Sequence, residues 1–306
     1  MKFNLSFIAV FSLFNIACAQ FTPDKIVQAD YAEQVPSFNW PTPKKQKSGK
    51  PPGYMMVTGG ANLATFGKTD LGSSITLVSA GEFGAPTPLF GKKCYRMNIT
   101  KQPGYPSSND GVRSELYTGE DCKENSGAAW WMVGIFLPTD WCDDNRPIGV
   151  AYDFKFPNAQ GPPSFYLKIE NAQWQATRQY PQGGREYRQY LNPIQKGVWT
   201  YWVVHRNFAD DDTGFMELYQ WVQGTEAEFK QVYEYKGANF SMDCGPKTEG
   251  YWLQGLYKWS WMDSTGQGEG TGICNTQYTA YYDNLIVLNS KASIEDFNRF
   301  ISSSSK

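Results

Sequence analysis

The chain has 306 residues, 41% hydrophobic and 16% aromatic, enough apolar material for one large buried core or two smaller ones. Its 28 Lys and Arg against 30 Asp and Glu give a net charge of −2, which excludes a strongly basic nucleic-acid binder. An anionic partner must therefore be held by a local cluster of charge. A single histidine and no Cys-x-x-Cys pair argue against a zinc centre, and no metal or other cofactor is expected.

In chain order, residues 1–19 (MKFNLSFIAVFSLFNIACA) carry one lysine, no acid, an apolar stretch and a small-residue ending. That pattern predicts a secretory leader cut before Gln20. The apolar run falls short of the ~20 residues of a membrane span. The expected product is secreted, extracellular and free of the membrane. Residues 20–53 are polar and Pro/Lys-rich, ending in PTPKKQKSGKPPG, and read as an extended arm or linker.

Residues 54–290 alternate short β-rich runs with Gly, Pro, Asn and Asp. CYRMNIT, VRSELYT, AAWWMVGIFL, GVAYDFKF, SFYLKIENAQW, VWTYWVVHRNF, GFMELYQWV, YWLQGLYKW and AYYDNLIVL each read as a strand. Only SIEDFNRFI looks helical, so residues 291–306 form a short helix with a Ser-rich tail. Many strands without alternating helices predict an all-β fold, a jelly roll of two packed antiparallel sheets. Period-two alternation puts Arg113, Glu115 and Tyr117 on one face of their strand. It puts Trp199, Tyr201 and His205 on one face of theirs, with Trp202 and Arg206 opposite. In YWLQGLYK, Trp252, Gln254 and Lys258 alternate with Tyr251, Leu253, Gly255 and Tyr257.

Export changes how the cysteines read. Cys94, Cys122, Cys142, Cys244 and Cys274 remain after the leader, predicting two disulfides and one thiol. The shortest pairings are Cys122–Cys142 and Cys244–Cys274, leaving Cys94 reduced and buried. Asn98-Ile99-Thr100 and Asn239-Phe240-Ser241 are glycosylation sequons. His205 reads as structural, and Asp210-Asp211-Asp212 as a solvated turn lacking the ligand spacing of a calcium loop.

Three segments in this order resemble the jelly-roll polysaccharide lyases, the group with the heparin lyase I-like, glucuronan lyase and alginate lyase families. The first is the Arg-x-Glu strand, matched by Arg113-Ser114-Glu115. The second is a Gln-x-His strand before a Pro-containing turn, where Asp153 and Lys155 take the Gln and His positions. The third is a Tyr-rich strand matched at Tyr251, Gly255 and Tyr257, with Leu253 in place of its lysine. The resemblance covers roughly residues 80–290.

It implies a monomeric lyase that cleaves an anionic, uronic-acid polysaccharide such as alginate or glucuronan by β-elimination. Arg113 would neutralise the substrate carboxylate, with Glu115 orienting it or binding hydroxyls. Tyr257 would serve as acid and also as base, and Lys155 would stand in for the histidine. Asp153, Tyr117, Tyr251 and Gln254 would bind substrate. Two other readings fit the same fold. One is a glycoside hydrolase pairing Glu115 with Asp153 or Glu217; the other is a carbohydrate-binding protein without chemistry.

Overall fold

β-Branched and aromatic runs interrupted by turn residues favour short pleated segments. The computed structural model describes residues 26–30, 38–39, 55–57, 65–69, 73–101, 112–118, 128–154, 164–179, 186–209, 211–239, 251–258, 261 and 277–304. In chain order the strands are β1 (Ile26–Asp30), β2 (Phe38–Asn39), β3 (Met55–Val57), β4 (Thr65–Thr69), β5 (Ser74–Ser79), β6 (Lys93–Thr100), β7 (Val112–Thr118), β8 (Ala129–Phe136) and β9 (Ile148–Phe154). They continue with β10 (Phe165–Glu170), β11 (Gln173–Gln179), β12 (Glu186–Pro193), β13 (Trp199–Asn207), β14 (Phe215–Val222), β15 (Lys230–Lys236), β16 (Tyr251–Lys258) and β17 (Gln277–Asn289), then helix α1 (Ile294–Ser304).

All pairings between the described strands are antiparallel and form two sheets, the jelly roll expected from the sequence. The back sheet has nine strands in the order β15-β14-β13-β8-β17-β6-β5-β2, with β1 pairing to β17. The front sheet has eight, ordered β12-β11-β10-β9-β16-β7-β4-β3. Between them lies the main core, which includes Met97, Trp131, Val133, Leu167, Trp174, Trp202, Trp252, Leu256 and Tyr282.

The back sheet is covered on its other face too. Trp130, Met132, Trp199, Tyr201, Val203 and Ile286 point away from the core and pack under Phe90 and under Phe297, Phe300 and Ile301 of α1. Spacing of i, i+3 and i+4 places those three helix residues on one stripe, and Phe90 stacks on Phe300 at 4.0 Å. Burial on both faces explains why β8 reads as the continuous apolar run AWWMVGIF rather than an alternating one. Asp283 anchors the covering segment: its Oδ2 accepts from the amides of Leu89 (2.9 Å) and Phe90 (3.1 Å) and from the Tyr201 hydroxyl.

Several expectations are corrected. Segment 20–53 is not simply an arm, since β1 and β2 join the back sheet. SFYLKIENAQW is two strands, β10 and β11, joined at Asn171-Ala172, whose φ angles of 53° and 58° make a tight hairpin turn. Asn239 is unsuited to a glycan. It is 2% exposed, and its Nδ2 donates to the carbonyls of Asn207 (2.9 Å) and Phe215 (3.0 Å). Asn98 is buried as well, its carboxamide bonded to Thr100, Gln277 and Thr279. Cys94 is buried and outside any disulfide, as expected. Cys142 is disulfide-bonded, while Cys122, Cys244, Cys274 and residues 1–19 lie outside the described residues.

Candidate active site

Register decides which side chains of the front sheet point away from the main core. β7 and β16 pair without a break, matching Tyr257 with Arg113, Gly255 with Glu115 and Leu253 with Tyr117. Val112, Ser114 and Leu116 are buried on the inner side, so Arg113, Glu115 and the Tyr117 position face outward. The Arg113 guanidinium lies over the Tyr257 ring, 4.3 Å from its centroid, and 3.9 Å from Glu115 Oε2. Two strands thus bring together a fixed cation, a carboxylate and a phenol.

Gly255 makes the approach possible. Its φ is +143°, and a Cβ there would stand 2.2 Å from the Ser114 carbonyl and 2.6 Å from Glu115 Cα. The same stretch of β16 carries one extra residue against β9 between Gln254 and Tyr257, a bulge that breaks that pairing just before the tyrosine. At the end of β16, Lys258 is 1% exposed and ties the strand down. Its Nζ donates to Asp144 Oδ2 (3.0 Å) and the Arg146 carbonyl (2.7 Å), and the Tyr278 hydroxyl donates to the same carboxylate oxygen (2.8 Å). Burial pushes the Lys258 ammonium down from its usual range. Burial pushes the Asp144 carboxyl up, but Lys258, the Arg146 amide and Tyr278 outweigh it and hold it below its usual value.

The register runs on across the sheet. Tyr257 pairs with Gly149, Gly149 with Lys168, Lys168 with Gln175 and Gln175 with Tyr190. Lys168 is 1% exposed with Nζ 4.4 Å from the centre of the Tyr166 ring. Beside it, Glu170 Oε2 accepts from Gln175 Nε2 (2.8 Å) and the Tyr190 hydroxyl (2.7 Å), and Thr177 donates to Gln175 Oε1 (3.1 Å). None of this polar row was singled out from the sequence. Alternation within FYLKIE does place Tyr166, Lys168 and Glu170 on one face, a signal hidden once β10 and β11 are read as one strand.

The expected residues divide. Arg113, Glu115 and Tyr257 come together, and positions 117 and 251 share their face. Gln254 does not: it is 1% exposed and stands in register with Leu116 and Ala151, both core residues. Asp153 is also misplaced. β9 carries one extra residue at Val150–Ala151 relative to β10, which turns the following pleat over. Position 153 pairs with Trp252 and Phe165, which face inward, and position 152 takes the outward register. Lys155 lies outside the described residues.

The paired-carboxylate alternative loses its geometry. Glu217 sits on the far side of the back sheet, 2.8 Å from His205 Nδ1, and His205 stacks on Trp130 at 3.7 Å. It cannot share a cleft with Glu115. His205 is structural, as expected; burial holds its imidazole below the usual range despite Glu217.

A jelly roll with arginine, glutamate and tyrosine gathered on the outward side of one sheet points to a carbohydrate-active class. The chain belongs to the polysaccharide lyase family, whose model matches residues 84–285. Among solved structures it is similar to an endo-beta-1,4-glucuronan lyase from the fungus Trichoderma reesei, with 21% identity, 74% of this chain and 92% of that one covered, and a TM-score of 0.58. It is also similar to a GH131 beta-glucanase catalytic domain from Podospora anserina (11% identity, 72% and 81% covered, TM-score 0.48) and to a family 7 alginate lyase A1-II' (13%, 65% and 79%, 0.44). Comparison with curated proteins returns no match.

Proposed function

We propose that this polysaccharide lyase is exported and cleaves a polyuronate by β-elimination, with β-1,4-linked glucuronate its first candidate and alginate its second. The observation that carries the reading is the Arg113–Tyr257 pair on the outward side of the front sheet. The C5 proton of a uronate is weakly acidic because removing it builds negative charge beside a carboxylate. A positioned guanidinium meets that carboxylate in bidentate fashion and stabilises the charge as it forms. Glu115 holds the guanidinium in place. Tyr257, acting as the phenolate, takes the C5 proton, the C4–O4 bond breaks as C4=C5 forms, and the phenol so made gives that proton to the leaving O4. Lys168, in register with Tyr257 across Gly149, supplies a second positive charge; Lys155 is the alternative.

The reaction leaves a conjugated, ultraviolet-absorbing end that hydrolysis does not. Incubation with polyglucuronate, polymannuronate and polyguluronate should raise that absorbance with at least one polymer. New reducing ends without it would contradict elimination. The glucuronan preference draws on the likeness to the fungal glucuronan lyase, and export draws on the leader-like start and the bonded Cys142.

A further inference from the structure

We infer that Tyr190, with Arg188 beside it, forms a distal uronate-binding subsite in which the tyrosine ring stacks on a sugar four strands away from Tyr257. The inference rests on the polyuronate reading above and extends it from the cleaved bond to the length of chain gripped.

Among the described residues the large exposed hydrophobic side chains are Phe83, Tyr187 and Tyr190. Phe83 lies on the covering segment of the back sheet, near Arg96. Tyr187 closes the sheet edge, where the Arg178 guanidinium sits between it (4.3 Å) and Tyr235 (3.5 Å). Tyr190 differs from both, because its register points it to the same outward side of the front sheet as Tyr257. It remains 48% exposed although its hydroxyl is bonded to Glu170.

The anchoring is built rather than incidental. Glu170 is 9% exposed and is braced by the fully buried Gln175, which Thr177 holds in turn. A ring pinned at its polar end with its face open has little freedom left to lose when a ligand arrives. Its flat apolar face matches the C–H face of a pyranose, as aromatic side chains combine large contact area with a polar handle. The bond to Glu170 also pushes the Tyr190 phenol up, keeping it the hydrogen donor. Arg188, exposed and two residues earlier, shares the face and supplies a cation for the sugar's carboxylate.

Distance fixes the place along the chain. From β16 to β12 the sheet order crosses β9, β10 and β11, four inter-strand steps, or roughly 19 Å at the usual spacing of ~4.8 Å per step. An extended 1,4-linked chain advances by about one strand spacing per sugar. A chain crossing the strands with a cleavage point at Tyr257 would thus meet Tyr190 about four sugars on.

The test is calorimetric binding of a β-1,4-glucuronate octasaccharide to the full chain carrying Tyr257→Phe, which slows cleavage. Adding Tyr190→Ala should weaken the octasaccharide about tenfold, the expected contribution of one stacked ring. Tyr190→Phe, which keeps the ring and loses the Glu170 anchor, should weaken it less. Equal affinity with and without Tyr190→Ala, or no binding of the octasaccharide at all, would overturn the subsite. If the octasaccharide binds through Tyr190 but the parent chain never forms unsaturated ends, the elimination reading falls and the subsite stands. If unsaturated ends form and Tyr190→Ala changes nothing, the reverse holds.

Discussion

At Gly255 the demands of backbone and chemistry coincide. Any side chain there runs into the Ser114 carbonyl and the Glu115 backbone, so Gly255→Ala has to push β7 and β16 apart beneath Arg113. It should lower activity well beyond its effect on stability, measured as turnover against the urea midpoint. A loss in stability alone would leave Gly255 no part in the site. Two lysines compete for the second positive charge, and Lys168→Met and Lys155→Met separate them. Lys168→Met should reduce turnover at least tenfold and Lys155→Met should leave it near the parent value; the opposite pattern would restore the sequence-based assignment. Asp144 governs stability instead. Asp144→Ala leaves the Lys258 ammonium buried without its carboxylate, at a cost of about 3–5 kcal/mol near neutral pH. Because the Asp144 carboxyl is lowered in the folded chain, its contribution is present above the unfolded value of 3.8 and is lost as pH falls through the folded one. The gap between parent and variant in denaturant titrations should therefore shrink below about pH 4. A constant gap would contradict the paired assignment.

The elements show which parts of the site could be read from sequence. β7 pairs with β16 and β4 without an irregularity, so simple alternation placed Arg113 and Glu115 correctly. The same alternation already set Gln254 opposite Tyr257, and the structure keeps it there. β9 is different: its extra residue follows Gly149 inside GVAYDF, a run that otherwise reads as one regular strand, and every position beyond it changes face. Asp153 was lost for that reason. β12 and β15 were missed because they are edge strands, EYRQYLNP and KQVYEYK, largely exposed and polar on both faces. The β10–β11 hairpin escaped notice because its turn is Asn-Ala rather than Asn-Gly. Ala172 sits at φ 58° in that turn, a left-handed conformation costing an L-residue roughly 1–2 kcal/mol. Ala172→Gly should accordingly raise stability by about 1 kcal/mol. A destabilised variant would show that the Ala172 methyl, which packs against the core, matters more than the backbone strain.

At the scale of the molecule the two sheets have unequal duties. The middle of the back sheet is buried on both faces, between the main core and the layer made by α1 and the segment around Phe90. The front sheet turns Arg113, Glu115 and Tyr257 away from the main core. Removing a ring from the covering layer, as in Phe297→Ala, should cost about 3–5 kcal/mol while leaving the KM for polyuronate unchanged, since the layer lies on the far side from Tyr257. A raised KM would mean that the layers are coupled. The central claim is that Tyr257 carries the proton in an elimination aided by Arg113. Its most direct test compares parent chain and Tyr257→Phe by the rate at which polyglucuronate gains unsaturated ends. The substitution keeps the ring under the Arg113 guanidinium and removes only the hydroxyl, so folding should hold while the rate falls by roughly a hundredfold or more. Equal rates from parent and variant, with unsaturated ends forming in both, would contradict it.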